Sequence, residues 1–143
     1  MIIVVVDGQG GGLGKILMEK LTAAGLDAEL LGIGTNAAAT AALSKGGAHQ
    51  VATGENAVIY NAGRADIVVG GIGILCANAM MGEISPAIAV AIASCNAVKV
   101  LVPLNRCNLR VSGVPNTALH LLVDQAVADV IQIASARRTG TKA

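Results

Sequence analysis

The sequence predicts an α/β fold: a doubly wound, mostly parallel sheet of about five strands flanked by helices. Three observations carry that reading. Short apolar stretches alternate with stretches of helical period along the whole chain. Several of the apolar stretches are continuous rather than alternating, as strands buried on both faces of a parallel sheet must be. The first strand also runs straight into a glycine cluster that opens a helix, Gly8-Gln9-Gly10-Gly11-Gly12-Leu13-Gly14-Lys15. That order of strand, glycine turn and helix start makes the expected fold Rossmann-like.

The elements follow in order. The first strand is Ile2–Asp7. A helix over about Leu13–Ala24 has apolar residues at helical spacing (Leu13, Ile16, Leu17, Leu21, Ala24) and Gly25 as its C-cap. The second strand is about Ala28–Ile33. Thr35 or Asn36 then caps an alanine-rich helix that ends at Gly46-Gly47. A short third strand fits His49–Ala52, followed by a helix around Glu55–Ala62 that stops at Gly63. The fourth strand is Asp66–Val69, closed by Gly70-Gly71, and a short helix is expected over Ile74–Met81. Ser85-Pro86 reads as N-cap and first residue of a helix ending at Ser94. The fifth strand, Val98–Val102, is stopped by Pro103, and Asn105–Gly113 reads as a polar loop or short strand. Asn116 is expected to cap a last helix whose stripe is Leu119, Leu122, Val123, Ala126, Val127, Val130, Ile131 and Ala134. The expected organisation is one domain over residues 1–136, with 137–143 a flexible C-terminal tail.

Composition narrows the function. At 143 residues the chain is long enough to bury a core of its own. Its formal net charge is +1 and its only adjacent basic pair is Arg137-Arg138, which argues against nucleic acid as partner. Tyr60 is the only aromatic residue, so stacking platforms for single strands are missing as well. Apolar residues make up 54% and charged ones 13%, which leaves little to cover a solvent-facing surface; a homo-oligomer is expected, and a solution mass measurement at micromolar concentration checks it. The uncharged runs Ile67–Gly82 and Ile84–Val98 fall short of the ~20 residues of a membrane span. The sequence opens directly on a strand, so no signal peptide and no membrane partner are expected, and a cytoplasmic location is. Cys76, Cys95 and Cys107 form no disulfide framework or metal spacing, and no metal site is expected. Cys76 and Cys95 read as core packing, His49 and His120 as ordinary surface or helix residues.

The glycine loop carries the strongest functional signal. Glycines let backbone approach an anion, and the free N–H groups of a helix start point at it. The dehydrogenase pattern G-x-G-x-x-G fits no register. The looser G-x-x-x-G-x-G fits as Gly8, Gly12 and Gly14, a spacing that resembles the loop of short-chain dehydrogenases/reductases, with Asp7 where that family usually has Thr. The P-loop pattern matches only at Gly14-Lys15, and Ile16 stands where its hydroxyl should be. A dinucleotide site should show an acid near the end of the second strand. Here that stretch is Gly32-Ile33-Gly34-Thr35-Asn36, which leaves Thr35 and Asn36 for the ribose. The Tyr-x-x-x-Lys pair of the short-chain family is missing, since Tyr60 is followed four residues later by Arg64.

With strand order 3-2-1-4-5, the ligand crevice would lie beyond the carboxyl ends of the first and fourth strands; the flavodoxin-like order fits the pattern as well. Two further segments would converge there. Gly70–Asn78 brings Gly71 and Asn78, and close behind it Glu83 is a carboxylate in apolar surroundings, a candidate general base or a partner for Arg106. Pro103-Leu104-Asn105-Arg106-Cys107-Asn108 packs amides, a guanidinium and a thiol into one loop. Arg106 suits bidentate pairing with a phosphate, with Asn105 beside it, and Cys107 next to a cation is a candidate nucleophile. The alternative is a polar turn whose amides bond local backbone.

Five strings, Asp7-Gly8-Gln9-Gly10-Gly11-Gly12, Gly34-Thr35-Asn36-Ala37, Ala52-Thr53-Gly54-Glu55-Asn56, Met81-Gly82-Glu83-Ile84-Ser85-Pro86 and Pro103-Leu104-Asn105-Arg106-Cys107-Asn108, together resemble a family of small bacterial proteins of unknown function, found mainly in anaerobic Firmicutes. The resemblance covers Ile2 to about Ile133. It implies a short cytoplasmic Rossmann-like chain and supplies no activity.

The expected function is binding of a nucleotide, dinucleotide or other small phosphorylated ligand, with NAD(P) the best single cofactor. Asp7, Gly8, Gln9, Gly10, Gly11, Gly12, Leu13, Gly14 and Lys15 would hold the phosphate, Thr35 and Asn36 the ribose, and Gly71, Asn78, Asn105 and Arg106 the remaining walls. Glu83 and Cys107 are the candidate catalytic groups. Whether chemistry occurs is open. The alternatives are a non-catalytic sensor or regulatory subunit for a phosphorylated metabolite, and a structural oligomer whose glycines serve packing alone.

Overall fold

The backbone alternates strand and helix in an unbroken series, and the computed structural model describes residues 1–104 and 108–140. The strands are β1 (Ile2–Asp7), β2 (Glu29–Gly34), β3 (Gln50–Thr53), β4 (Ile67–Gly71) and β5 (Val98–Val102). The helices are α1 (Gly12–Ala23), α2 (Ala37–Lys45), α3 (Glu55–Ala62), α4 (Pro86–Ser94) and α5 (Leu119–Thr139), with a 3-10 turn over Ile72–Leu75. All strand pairings are parallel, and the order is β3-β2-β1-β4-β5. The order therefore reverses between β1 and β4, which places a ligand crevice at their carboxyl ends and settles the choice against the flavodoxin-like arrangement.

Burial on both faces explains the continuous apolar strands. Along β1, Ile3 and Val5 face a core shared with Leu17, Met18 and Leu21 of α1 and Val123 and Val127 of α5. Val4 and Val6 face the opposite core, with Val58 of α3 and Ile88 and Ile92 of α4. Each such side chain, taken out of water, contributes roughly 1.5–3 kcal/mol. Cys76 and Cys95 are half-buried against this second core. Two helix starts follow their sequence signals. The Asn36 side chain accepts the Ala39 N–H at 2.9 Å at the start of α2. Ser85 Oγ accepts the Ile88 N–H at 3.2 Å, with Pro86 opening α4.

Three local expectations give way in the structure. Strand β4 runs through Gly70-Gly71 instead of ending before them, because Gly71 still pairs with Val102. Glycine is needed at position 70, where a Cβ would sit 2.7 Å from the Val6 carbonyl. Ile74–Met81 is not a helix. Beyond the 3-10 turn the chain passes through left-handed backbone at Asn78, Met80, Met81 and Gly82, drawn there by the Asn78 N–H bond to the Ile84 carbonyl and by the contacts of Glu83 described below. Asn116 does not cap α5, whose first residue is Leu119 and whose N-cap, Ala118, offers no side-chain bond. Helix α5 runs to Thr139, and Arg137 Nη1 donates to Asp66 Oδ1 at 2.7 Å. The other Asp66 oxygen accepts the Ile2 N–H at 2.8 Å, so this carboxylate ties the end of α5 to β1.

Helix α5 is also the one described helix long and apolar enough to cross a membrane, at 21 residues and a mean hydropathy of 1.2 over its best window. Its stripe Val123, Ala126, Val127 and Val130 packs into the core beside the sheet, and 22% of the apolar window is buried.

Candidate functional site

At the end of β1 the chain delivers Asp7, a carboxylate only 6% exposed. Its Oδ1 accepts the Gly8 N–H at 2.8 Å and its Oδ2 accepts the Gly14 N–H at 2.6 Å. Burial of a carboxylate is costly without such partners. Asp7 thus pins both ends of the glycine loop and engages one of the orphan amides in the first turn of α1. The Gly11 N–H donates to the Gly8 carbonyl at 3.0 Å, and Gly11 itself is left-handed at φ 71°.

The glycines of the loop have different reasons to be glycine. At Gly8 a Cβ would lie 2.7 Å from Thr35 Oγ1 and 2.8 Å from Met80 Sδ. At Gly11 it would meet the Ala39 backbone at 2.8 Å. At Gly14 it would meet Asp7 Cβ at 2.7 Å. Packing and backbone conformation account for these three. At Gly10 and Gly12 a Cβ would meet nothing within 4 Å, and neither residue has positive φ.

Gly10 and Gly12 border a cavity of about 570 Å³ beyond the carboxyl ends of β1 and β4. Residues 7–13 of the loop and Gly71 of β4 form one side of it. Gly73, Ile16, Met80, Met81, Leu104 and Leu119 complete the lining. Asp7 is the only ionisable side chain among the described lining residues. Ile16 and Leu119 read in the sequence as members of core stripes. What marks them is position: each stands in the first turn or two of a helix whose start faces the crevice.

The remaining candidates stand elsewhere. Gly14 lies behind the loop, against Asp7. Lys15 is on the surface, its Nζ 3.6 Å from Glu19. Asn78 sits in the left-handed turn. Thr35, Asn36 and Glu83 meet on the β2 side of the loop. Glu83 Oε2 accepts the Gln9 N–H at 2.8 Å, while its Oε1 accepts from Asn36 Nδ2 and, at 3.4 Å, from Thr35 Oγ1. Asn36 Nδ2 also donates to the Gln9 carbonyl at 3.0 Å. Glu83 therefore fastens the turn after β4 to the loops after β1 and β2. Replacing it with Ala should speed amide exchange at Gln9 by about tenfold or more, the size of one lost charge-assisted bond, with the amides of β1 and β4 unchanged. Unchanged exchange at Gln9 would remove the tie. Asn105, Arg106 and Cys107 lie outside the described residues.

Two smaller expectations are also placed. Tyr60 and Arg64 stack on one another at 5.1 Å on the outside of α3, away from the loop. His49 Nδ1 accepts the Leu30 N–H at 3.0 Å and so completes the start of β2. Among the described residues no group of His, Cys, Asp and Glu side chains could hold a metal ion.

Fold and cavity define the class: an α/β protein with a parallel doubly wound sheet and an apolar-walled, glycine-lined cavity at the point where the strand order reverses. Residues 2–135 match the family described as Domain of unknown function (DUF3842), and the chain belongs to that family. A search of curated proteins finds no match.

Proposed function

We propose that this protein binds a nucleotide or another phosphorylated small molecule in the cavity beside the glycine loop. The observation that carries the reading is the pair Gly10 and Gly12. Neither packing nor backbone conformation calls for glycine there, and both face open space at the cavity. Glycine at the start of a helix costs stability relative to alanine, so its presence asks for another reason. Close approach of a ligand's oxygen atoms to the backbone is that reason. The N–H groups of Gly12 and Leu13, in the first turn of α1, have no intrahelical acceptor and suit an anion.

We read the role as binding or sensing, on the placement of one of the two catalytic candidates. Glu83, the acid/base candidate, is engaged by three donors on the far side of the loop and does not line the cavity.

A dye-based thermal shift tests the proposal against NAD, NADP, their reduced forms, ATP, ADP, flavins and coenzyme A. A ligand at about 100 times its dissociation constant adds ~2.7 kcal/mol, a shift of roughly 5–10 °C for a domain of this size. A shift with at least one phosphorylated compound is expected. No shift with any of them would sink the proposal.

A further inference from the structure

The sheet has two edges, and they differ. At one edge β3 is four residues long, and its Gln50 and Thr53 carry polar side chains bonded to Glu29 and Thr40. At the other edge β5 is the aliphatic run Val98-Lys99-Val100-Leu101-Val102. The Val98 N–H donates to the Asp66 carbonyl at 3.0 Å, so Val98, Val100 and Val102 turn their backbone groups toward β4. Lys99 and Leu101 turn theirs outward, and among the described residues nothing bonds them. Edges of this kind are ordinarily guarded by charge, proline or a bulge. The one charge on β5, Lys99, is bent back onto the end of α4, where its Nζ donates to the Cys95 carbonyl.

The surface around this edge lacks free charge. Between Ile67 and Leu104 the only charged residues are Glu83 and Lys99, and both are engaged within the chain. Helix α4, which leads into β5, has no charged side chain, and its Val90 is 64% exposed. Val98 of β5 is 39% exposed. An open strand edge beside an uncharged aliphatic helix calls for cover, and its outward N–H and C=O groups are met by another strand. The strand β5 answers its own edge. Two antiparallel copies centred on Val100 set Lys99 of each opposite Leu101 of the other, and each such pair exchanges both of its N–H···O bonds. No like charges meet, since each lysine faces a leucine. A stable dimer buries about 800 Å² per partner. A five-residue edge falls short of that. The two-fold axis of this pairing stands perpendicular to the sheet, so it brings both α4 helices to one face, where their uncharged surfaces add to the contact.

We propose that β5 is the interface with a second copy of this chain, the two strands pairing antiparallel about Val100 and joining two sheets into one continuous sheet. This names the surface of the homo-oligomer that composition calls for, and it holds whether or not a phosphorylated ligand binds.

Sedimentation velocity of the full chain should show a dimer at about 10 μM, and residue-resolved amide exchange locates its interface. The Lys99 and Leu101 amides should exchange about tenfold or more slower in the dimer than in the diluted monomer, with the outer amides of β3 unchanged. Val98→Lys, at an exposed position that faces Val102 of the second copy in this register, should stay folded by circular dichroism and weaken association by about tenfold or more. A monomer at about 100 μM overturns the proposal. So does a dimer whose Lys99 and Leu101 amides exchange as fast as in the monomer, because another surface then holds it. A folded Val98→Lys that associates like the parent overturns the pairing as well. Should that variant fail to fold, the exchange rates of the parent chain decide alone.

Discussion

Replacing Asp7 with Ala is expected to lower stability by about 3 kcal/mol, the sum of two hydrogen bonds to a charged acceptor. For a domain of this size that is a fall in Tm of roughly 6–12 °C. The reasoning is local. Asp7 is buried at the end of β1, and its two oxygens take the N–H groups of Gly8 and Gly14, one on each side of the turn. Alanine removes both acceptors and leaves two amides of a tight loop without their partner, and an unsatisfied buried donor costs more than an average hydrogen bond contributes. Asn at this position keeps one acceptor oxygen but presents an NH₂ group to the second amide, so about half the loss should remain. Urea denaturation of the three proteins measures this. A loss below about 1 kcal/mol in Asp7→Ala would mean that the glycines shape the turn without help from the carboxylate.

Asp7 also shows how far the sequence could be read. A strand ending in Asp before a glycine cluster points to a loop and a helix start, and β1, the loop and α1 stand within a residue of that reading. Asn36 and Ser85 cap their helices as their residue types suggest, because capping is decided within three residues. The segment after β4 is different. Its left-handed residues Met80 and Met81 have no local signature, since methionine does not favour that backbone. What holds them is Glu83, bonded to Gln9 and Asn36, which lie 74 and 47 positions away. No window of neighbouring residues contains that information. The strand order is of the same kind. Apolar runs say that strands are buried on both faces, and only the pairing of β1 with both β2 and β4 says which two frame the crevice.

The candidate site divides along the same line. The glycine loop and Gly71 border the cavity, as a local motif and a strand end can suggest. Glu83, Thr35 and Asn36 meet one another rather than the cavity. Their chemistry was visible in the sequence, but their partners depend on a chain reversal that composition does not encode. Met80, Leu104 and Leu119 were hidden for the opposite reason: apolar residues in an apolar sequence carry no mark of facing a void.

Gly12→Leu should leave stability within about 1 kcal/mol of the parent protein and reduce affinity for whichever phosphorylated compound binds by about 100-fold or more. Gly34→Ala should do the reverse, costing about 3 kcal/mol or more. The two glycines differ in what a side chain would meet. At Gly34 a Cβ would lie 2.4 Å from both the backbone nitrogen and Oγ1 of Thr40, and 2.9 Å from the Asn36 carbonyl. Backbone on two sides cannot yield without moving α2, which places this change at or beyond the upper end of ordinary overpacking costs, about 1–3 kcal/mol. At Gly12 nothing stands within 4 Å, the backbone is helical, and any larger residue gains up to ~1 kcal/mol of helix propensity. A leucine there would offset part of that gain by exposing apolar surface, but would project into the cavity beside the first-turn amides and occupy the approach to them. Chemical denaturation and ligand titration on the same two variants separate the readings. Should Gly12→Leu fold and bind like the parent, the loop glycines are not a ligand surface. Should it fail to fold, position 12 serves packing after all, and the argument from open space at Gly10 and Gly12 falls with it.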